Sequence, residues 1–197
     1  MSDYKVRLLR NGAQQIYVYN DGPTVFFYDQ GNGDIIKEAH PSLLGGFYGD
    51  PAHDIDARLL ELGETGKLVV LELFQDDEFQ AELSFGPPLK AEEWGNTSWS
   101  QPKEAFLSLP SGRLRVESMN SLPIGDDEPT DEGACVSVRP GEYLLSIQAL
   151  SPEYDQNEDD LVPEYYLSLT PLSERGKRPD NHPFVSYPYR SYACKEE

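Results

Sequence analysis

The chain has 197 residues, enough to bury roughly 70% of its unfolded surface around a core that needs no metal or disulfide staple. Its hydrophobic fraction of 38%, with 16 Gly beside it, fits a folded domain with long polar loops, and 12 Tyr and 8 Phe suit half-buried strands. Against 16 basic residues stand 35 acidic ones, and the resulting charge of −19 repels phosphate backbones and anionic lipid heads. That argues against direct nucleic-acid or membrane binding and in favour of cationic partners.

Met1 to Arg10 has no apolar h-region, and nowhere do about 18 apolar residues follow one another, so neither a signal peptide nor a span is expected and the cytoplasm is the default location. Tyr4 to Leu9, Gln15 to Tyr19 and Thr24 to Tyr28 are rich in β-branched and aromatic residues. Asn11-Gly12 and Asn20-Asp21-Gly22-Pro23 separate them, so consecutive hairpins or a meander are expected. Asp34 to Lys37 reads as a fourth short strand.

One appreciable helix is predicted over about 51–62. Asp50 is its N-cap, Pro51 its first helical position and Gly63 its stop, and Ile55, Leu59 and Leu62 form one apolar stripe. Beyond it strands dominate: Lys67 to Phe74, Glu78 to Phe85, Glu104 to Leu109, Arg113 to Met119, Ala134 to Val138, Tyr143 to Leu150 and Tyr165 to Thr170. Many short strands with few helices predict a mostly β protein, an antiparallel β-sandwich or a barrel-like fold, in a single domain over 1–174. Residues 175–197 change character and read as a C-terminal arm that packs on the domain or contacts a partner.

Two connections exceed simple turns. Gly86 to Pro102 holds Trp94 and Trp99, which either cover the open end of the sandwich or anchor an interface. Asn120 to Gly133 opens the acid-rich part of the chain. From Ser121 to Asp160 the carboxylates include Asp126, Asp127, Glu128, Asp131, Glu132, Asp155, Glu158, Asp159 and Asp160, with Arg139 as the single base. Arg139-Pro140-Gly141-Glu142 reads as the turn of a hairpin, which would bring both acidic loops to one end of the sheet.

Catalytic signatures are missing: no GxSxG, no phosphate-binding glycine loop, no HExxH, and His40, His53 and His182 stand in unrelated contexts. Asp155 to Asp159 imitates the start of an EF-hand loop, but Asp160 replaces the required glycine and Tyr166 the closing Glu, which leaves a looser calcium site as the alternative. Cys135 and Cys194 do not form a CxxC, and Cys135 is expected to point into a core.

Arg113 to Met119, then Val136 to Leu145 with its Arg139-Pro140-Gly141-Glu142-Tyr143, then Tyr166 to Leu169 resemble the C-terminal part of the competence protein J family of bacterial nuclease inhibitors. They also resemble small bacterial immunity-type β-sandwiches. The resemblance covers about a third of the chain, and the helix-bearing N-terminal half and the acidic 120–133 insertion depart from it. It implies a non-enzymatic inhibitor of a nuclease.

The residues themselves support an acidic protein that binds a basic protein, possessing no cofactor, through the carboxylates named above. Tyr154, Tyr165 and Tyr166 beside the acids, with Trp94 and Trp99, are expected to supply apolar contacts. A calcium-binding β module and a structural or interaction protein with no inhibitory role are the other readings.

Overall fold

The computed structural model describes residues 12–19, 24–36, 38, 57–73, 79–90, 100–118, 133–150, 163–175, 178 and 184–186. Ten strands are seen among them: β1 Gln14–Val18, β2 Thr24–Asp29, β3 Leu68–Glu72, β4 Phe79–Phe85, β5 Lys103–Leu109, β6 Arg113–Ser118, β7 Ala134–Ser137, β8 Gly141–Ala149, β9 Tyr165–Pro171 and β10 Phe184–Ser186. Helix α1 spans Ala57–Glu64 and α2 Leu172–Arg175.

The strands form two five-stranded sheets. Sheet A has the order β1-β4-β9-β8-β5 and sheet B the order β10-β3-β2-β6-β7. Alternation along the strands explains the packing between them. Ile16, Val18, Phe79, Ala81, Leu83, Leu145, Ile147, Leu167 and Leu169 of sheet A meet Val25, Phe27, Val69, Leu71, Leu114 and Val116 of sheet B in one buried core. Phe79 ties the layers together, edge-on to Phe27 across the core and 5.0 Å from the Tyr165 ring beside it. The fold is a β-sandwich, with β4 parallel to β9 and β10 parallel to β3 in otherwise antiparallel sheets.

The pairing inverts the sequence expectation. Every short connection among the strands crosses from one sheet to the other: β1 lies in sheet A and β2 in sheet B, β5 in A and β6 in B, β7 in B and β8 in A. The expected β7–β8 hairpin is therefore not formed. Instead β7 pairs with β6, and β8 with β5 and β9. The two crossings stack on each other, with the Val138 N–H donating to Gly112 O at 2.8 Å. Gly112 has a φ of +71°, and a Cβ there would lie 2.7 Å from Val138 O, so both the backbone conformation and the close approach require glycine. Buried Asp29 fastens this end: its carboxylate accepts from Gly31 N (2.8 Å), Ser111 N (2.9 Å) and Ser111 Oγ (2.8 Å).

Three local expectations are corrected. Residues 33–36 are helical, following a 3₁₀ turn at Gln30–Asn32 that the Asp29 side chain caps. Helix α1 runs through Gly63 and stops at Gly66, whose φ is +69°. There Lys67 N donates to Leu62 O and Gly66 N to Gly63 O, the paired bonds of a Schellman cap. Cys135 is exposed, and Val136 beside it takes the core position. Asp50, Pro51 and Ile55, the expected start of the helix, lie outside the described residues, as do Tyr4 to Leu9.

Candidate partner-binding site

Strand direction fixes which loops share an end. In sheet A, Val18, Phe79, Tyr165, Ala149 and Lys103 lie at one end, because Val18 pairs with Phe79, Ala81 and Ala149 with Tyr165, and Lys103 with Ile147. In sheet B, Thr24 pairs with Glu72, Val25 with Ser118 and Val116 with Ala134, which puts those residues at one end too. The short crossing from Leu109 to Arg113 makes the two ends the same. Both acid-rich segments, between Ser118 and Gly133 and between Leu150 and Pro163, are consequently entered and left at one end of the sandwich. The hairpin proposed from the sequence is wrong, yet crossing between sheets also reverses the chain.

The carboxylates Asp126, Asp127, Glu128, Asp131, Glu132, Asp155, Glu158, Asp159 and Asp160 lie outside the described residues, together with Tyr154, Trp94, Trp99 and the three histidines, whereas Tyr165 and Tyr166, expected as apolar contacts, are buried in β9 and offer no surface to a partner. The described flanks are firmly held. Leu150 N donates to Glu164 O at 2.8 Å and closes the root of the second segment. At the root of the first, a Cβ on Gly133 would lie 2.7 Å from Glu117 Cγ.

Glu117 belongs to a buried polar cluster on the outer face of sheet B that the sequence reading missed. Register places Tyr28 opposite Arg115, and Phe26 opposite Glu117. Tyr28 donates its hydroxyl to one carboxylate oxygen of fully buried Glu117, while Arg115 reaches the other through Nε at 2.8 Å and through Nη2. Burial, then the Glu117 charge and hydrogen bond, hold the Tyr28 hydroxyl far above its ordinary value. Burial works against the Arg115 charge, but the bonds and charge of Glu117 outweigh it and raise the guanidinium above its usual value. Arg115-Val116-Glu117 alternation signals that the two charges share a face; the Tyr28 partnership depends on register.

The outer face of sheet A is polar and yet buried. Across β4, β9 and β8 run Ser84, Ser168 and Ser146, and beside them Glu82, Tyr166 and Gln148. Ser84 Oγ is bonded to Tyr166 OH. The chain after β4 crosses this face: Gly86 accepts from Thr170 Oγ1 at 2.7 Å, and the Gln148 amide bonds Leu89 N (2.8 Å), Leu89 O (3.2 Å) and Ser100 O (3.2 Å). Gln148 thus ties both described shoulders of the 86–102 connection to the sheet. At the other edge of sheet A, Arg178 lies over the Phe106 ring at 3.7 Å.

Chemically, these clusters are structural in character: Glu117 is matched to Arg115 and Tyr28 on the outer face of sheet B, and Gln148 to the chain that crosses the outer face of sheet A. Among the described residues no group of three or more His, Cys, Asp or Glu is arranged to hold a metal ion. Among the same residues no helix is long and apolar enough to cross a membrane.

No family model matches the chain, and no curated protein matches it. Two solved structures are similar to it. The product described as crocagin biosynthetic gene J is 21% identical, with a TM-score of 0.49 over 82% of this chain and 99% of that one. ComJ from Bacillus subtilis, described as an inhibitor of the DNA degrading activity of NucA, is 9% identical, with a TM-score of 0.47 over 80% of this chain and 95% of its own. The likeness to ComJ, read from three strand segments in the sequence, extends in structure over most of the chain. At these identities it is a likeness of strand arrangement alone.

Proposed function

We propose that this chain is a non-enzymatic binding protein of the cytoplasm that neutralises a basic protein partner, in its sharpest form an immunity protein or nuclease inhibitor. The observation that carries the reading is the shared end: two segments rich in carboxylate are both rooted at the same end of a rigid sandwich in a chain of net charge −19. Like charges gathered there repel one another, and a partner's Lys and Arg side chains relieve that repulsion while the field speeds encounter. In this reading Asp126, Asp127, Glu128, Asp131, Glu132, Asp155, Glu158, Asp159 and Asp160 contact the partner, with Tyr154, Trp94 and Trp99 as apolar neighbours. The reading stands on charge and topology; the inhibitory role described for ComJ belongs to ComJ.

The test is capture from native lysate at low and high salt, comparing the wild type with a variant in which those nine acids are Asn or Gln. Captured proteins are identified, purified and rebound. Salt-sensitive binding of one basic protein by the wild type alone supports the reading, and its activity in the bound state then shows whether it is inhibited. Equal capture by both proteins, or none, overturns it. Capture that requires calcium and is lost with chelator would favour the calcium-binding alternative.

A further inference from the structure

Three large hydrophobic side chains among the described residues are about half exposed: Tyr17 at 47%, Tyr19 at 49% and Phe85 at 48%. Single exposed apolar groups are ordinary on a protein surface, but two of these stand two residues apart on one strand and its extension. Period-2 alternation turns both tyrosines away from the core into which Ile16 and Val18 point. Tyr17 lies opposite Gln80. The pair also occupies a particular end of the molecule. β1 runs toward the end from which both acid-rich segments leave, and it packs against β6 and β7, the two strands that flank the first of them. Phe85 terminates β4 at the opposite end.

We propose that Tyr17 and Tyr19 form an aromatic anchor of the docking surface for the basic protein partner; the inference rests on the reading given above and adds residues to it. Tyrosine presents a large, rigid surface at low conformational cost and dominates binding hot spots. Its ring face also attracts guanidinium and ammonium groups, the side chains that a −19 surface selects. Carboxylates supply long-range attraction, and the tyrosines supply contact area that persists at high salt, so the two contributions separate experimentally.

The experiment measures Kd for the identified, purified partner with four full-length proteins: wild type, the nine-site neutralised variant, Tyr17→Ala/Tyr19→Ala and Phe85→Ala. Truncating both tyrosines is expected to raise Kd by about 30-fold or more while leaving the salt dependence unchanged, and Phe85→Ala to leave Kd within about twofold. If the alanine pair unfolds, Tyr17→Lys/Tyr19→Lys takes its place and should weaken binding further by repelling a basic partner. Wild-type affinity in the tyrosine variants, or an equal loss in Phe85→Ala, overturns the proposal while the charge reading stands. Loss in the tyrosine variants with none in the neutralised variant overturns the charge reading and keeps the anchor. Absence of any partner overturns both.

Discussion

The Tyr28 hydroxyl donates to the Glu117 carboxylate across paired strands, with both side chains buried on the outer face of sheet B and Arg115 bonded to the same carboxylate. The cluster holds the middle of the sheet whose edge carries the root of the first acidic segment. Its polar atoms have no water to fall back on. Removing Glu117 as Glu117→Ala leaves the Arg115 charge and the Tyr28 hydroxyl unmatched, and about 3–5 kcal/mol of stability should be lost. Tyr28→Phe removes one donor and should cost about 1–3 kcal/mol. Urea unfolding checks both, and a loss below about 1 kcal/mol for Glu117→Ala would mean that the cluster is not closed in solution.

Alkaline pH probes the same hydroxyl. The folded state holds the Tyr28 proton well above the ordinary tyrosine value, mainly through burial, whereas the unfolded chain releases it near pH 10. The unfolded state therefore binds fewer protons above that pH, and stability falls as pH rises. Below about pH 10 this contribution is fully present. Above it, the wild type should lose about 1.4 kcal/mol per pH unit more than Tyr28→Phe does. Parallel slopes for the two proteins in urea titrations between about pH 9 and 11 would contradict the buried bond. Tyr143, whose hydroxyl donates to Arg139 O, is raised by burial in the same direction and contributes equally to both proteins.

Gly66 separates two effects that glycine can have. Gly66→Ala strains a left-handed position and drives a methyl group to 2.4 Å from the Phe106 ring. Together these should cost about 2–4 kcal/mol. Gly12 has a similar φ of +82° with nothing among the described residues within 4 Å of its absent Cβ, so Gly12→Ala should cost only the backbone share, about 1 kcal/mol. Thermal unfolding of the two variants side by side measures the packing part by difference.

Ser168 offers a prediction of opposite sign. Its Oγ is fully buried on the outer face of sheet A and has no hydrogen-bond partner among the described residues. Ser168→Ala removes an uncompensated polar atom, and stability should rise by about 1 kcal/mol. Destabilisation by that amount would mean that the hydroxyl is in fact bonded.

Much of the fold was readable locally. Leu68, Val69, Val70 and Leu71, or the alternation of Leu114 and Val116 with Arg115 and Glu117, mark strands wherever they pair, and β1 to β9 lie within a residue or two of their expected spans. Pairing was not readable, because the turn at Pro110-Ser111-Gly112 suits a hairpin and a crossing between facing sheets equally well. What decides is the distant Asp29 carboxylate and the Val138 contact with Gly112, neither of which has a local signature. Gly63 looked like a stop because it follows Leu62, yet a helix can carry an interior glycine, and the left-handed position fell to Gly66. Phe184–Ser186 was missed as a strand, being three residues that add to the edge of β3. For the candidate site, charge and the location of the acidic segments were legible in composition, whereas Tyr17 and Tyr19 read only as ordinary strand residues until the direction of β1 was known.

The central claim, that carboxylates at one end of the sandwich recruit a basic protein, is tested most directly by the association rate constant for the captured partner as salt rises from about 0.05 to about 1 M, over which the screening length falls several-fold. The wild-type rate should fall at least about tenfold, and that of the nine-site neutralised variant should be slower at low salt and nearly flat. A wild-type rate that does not respond to salt, or one that the neutralised variant reproduces, would contradict the account.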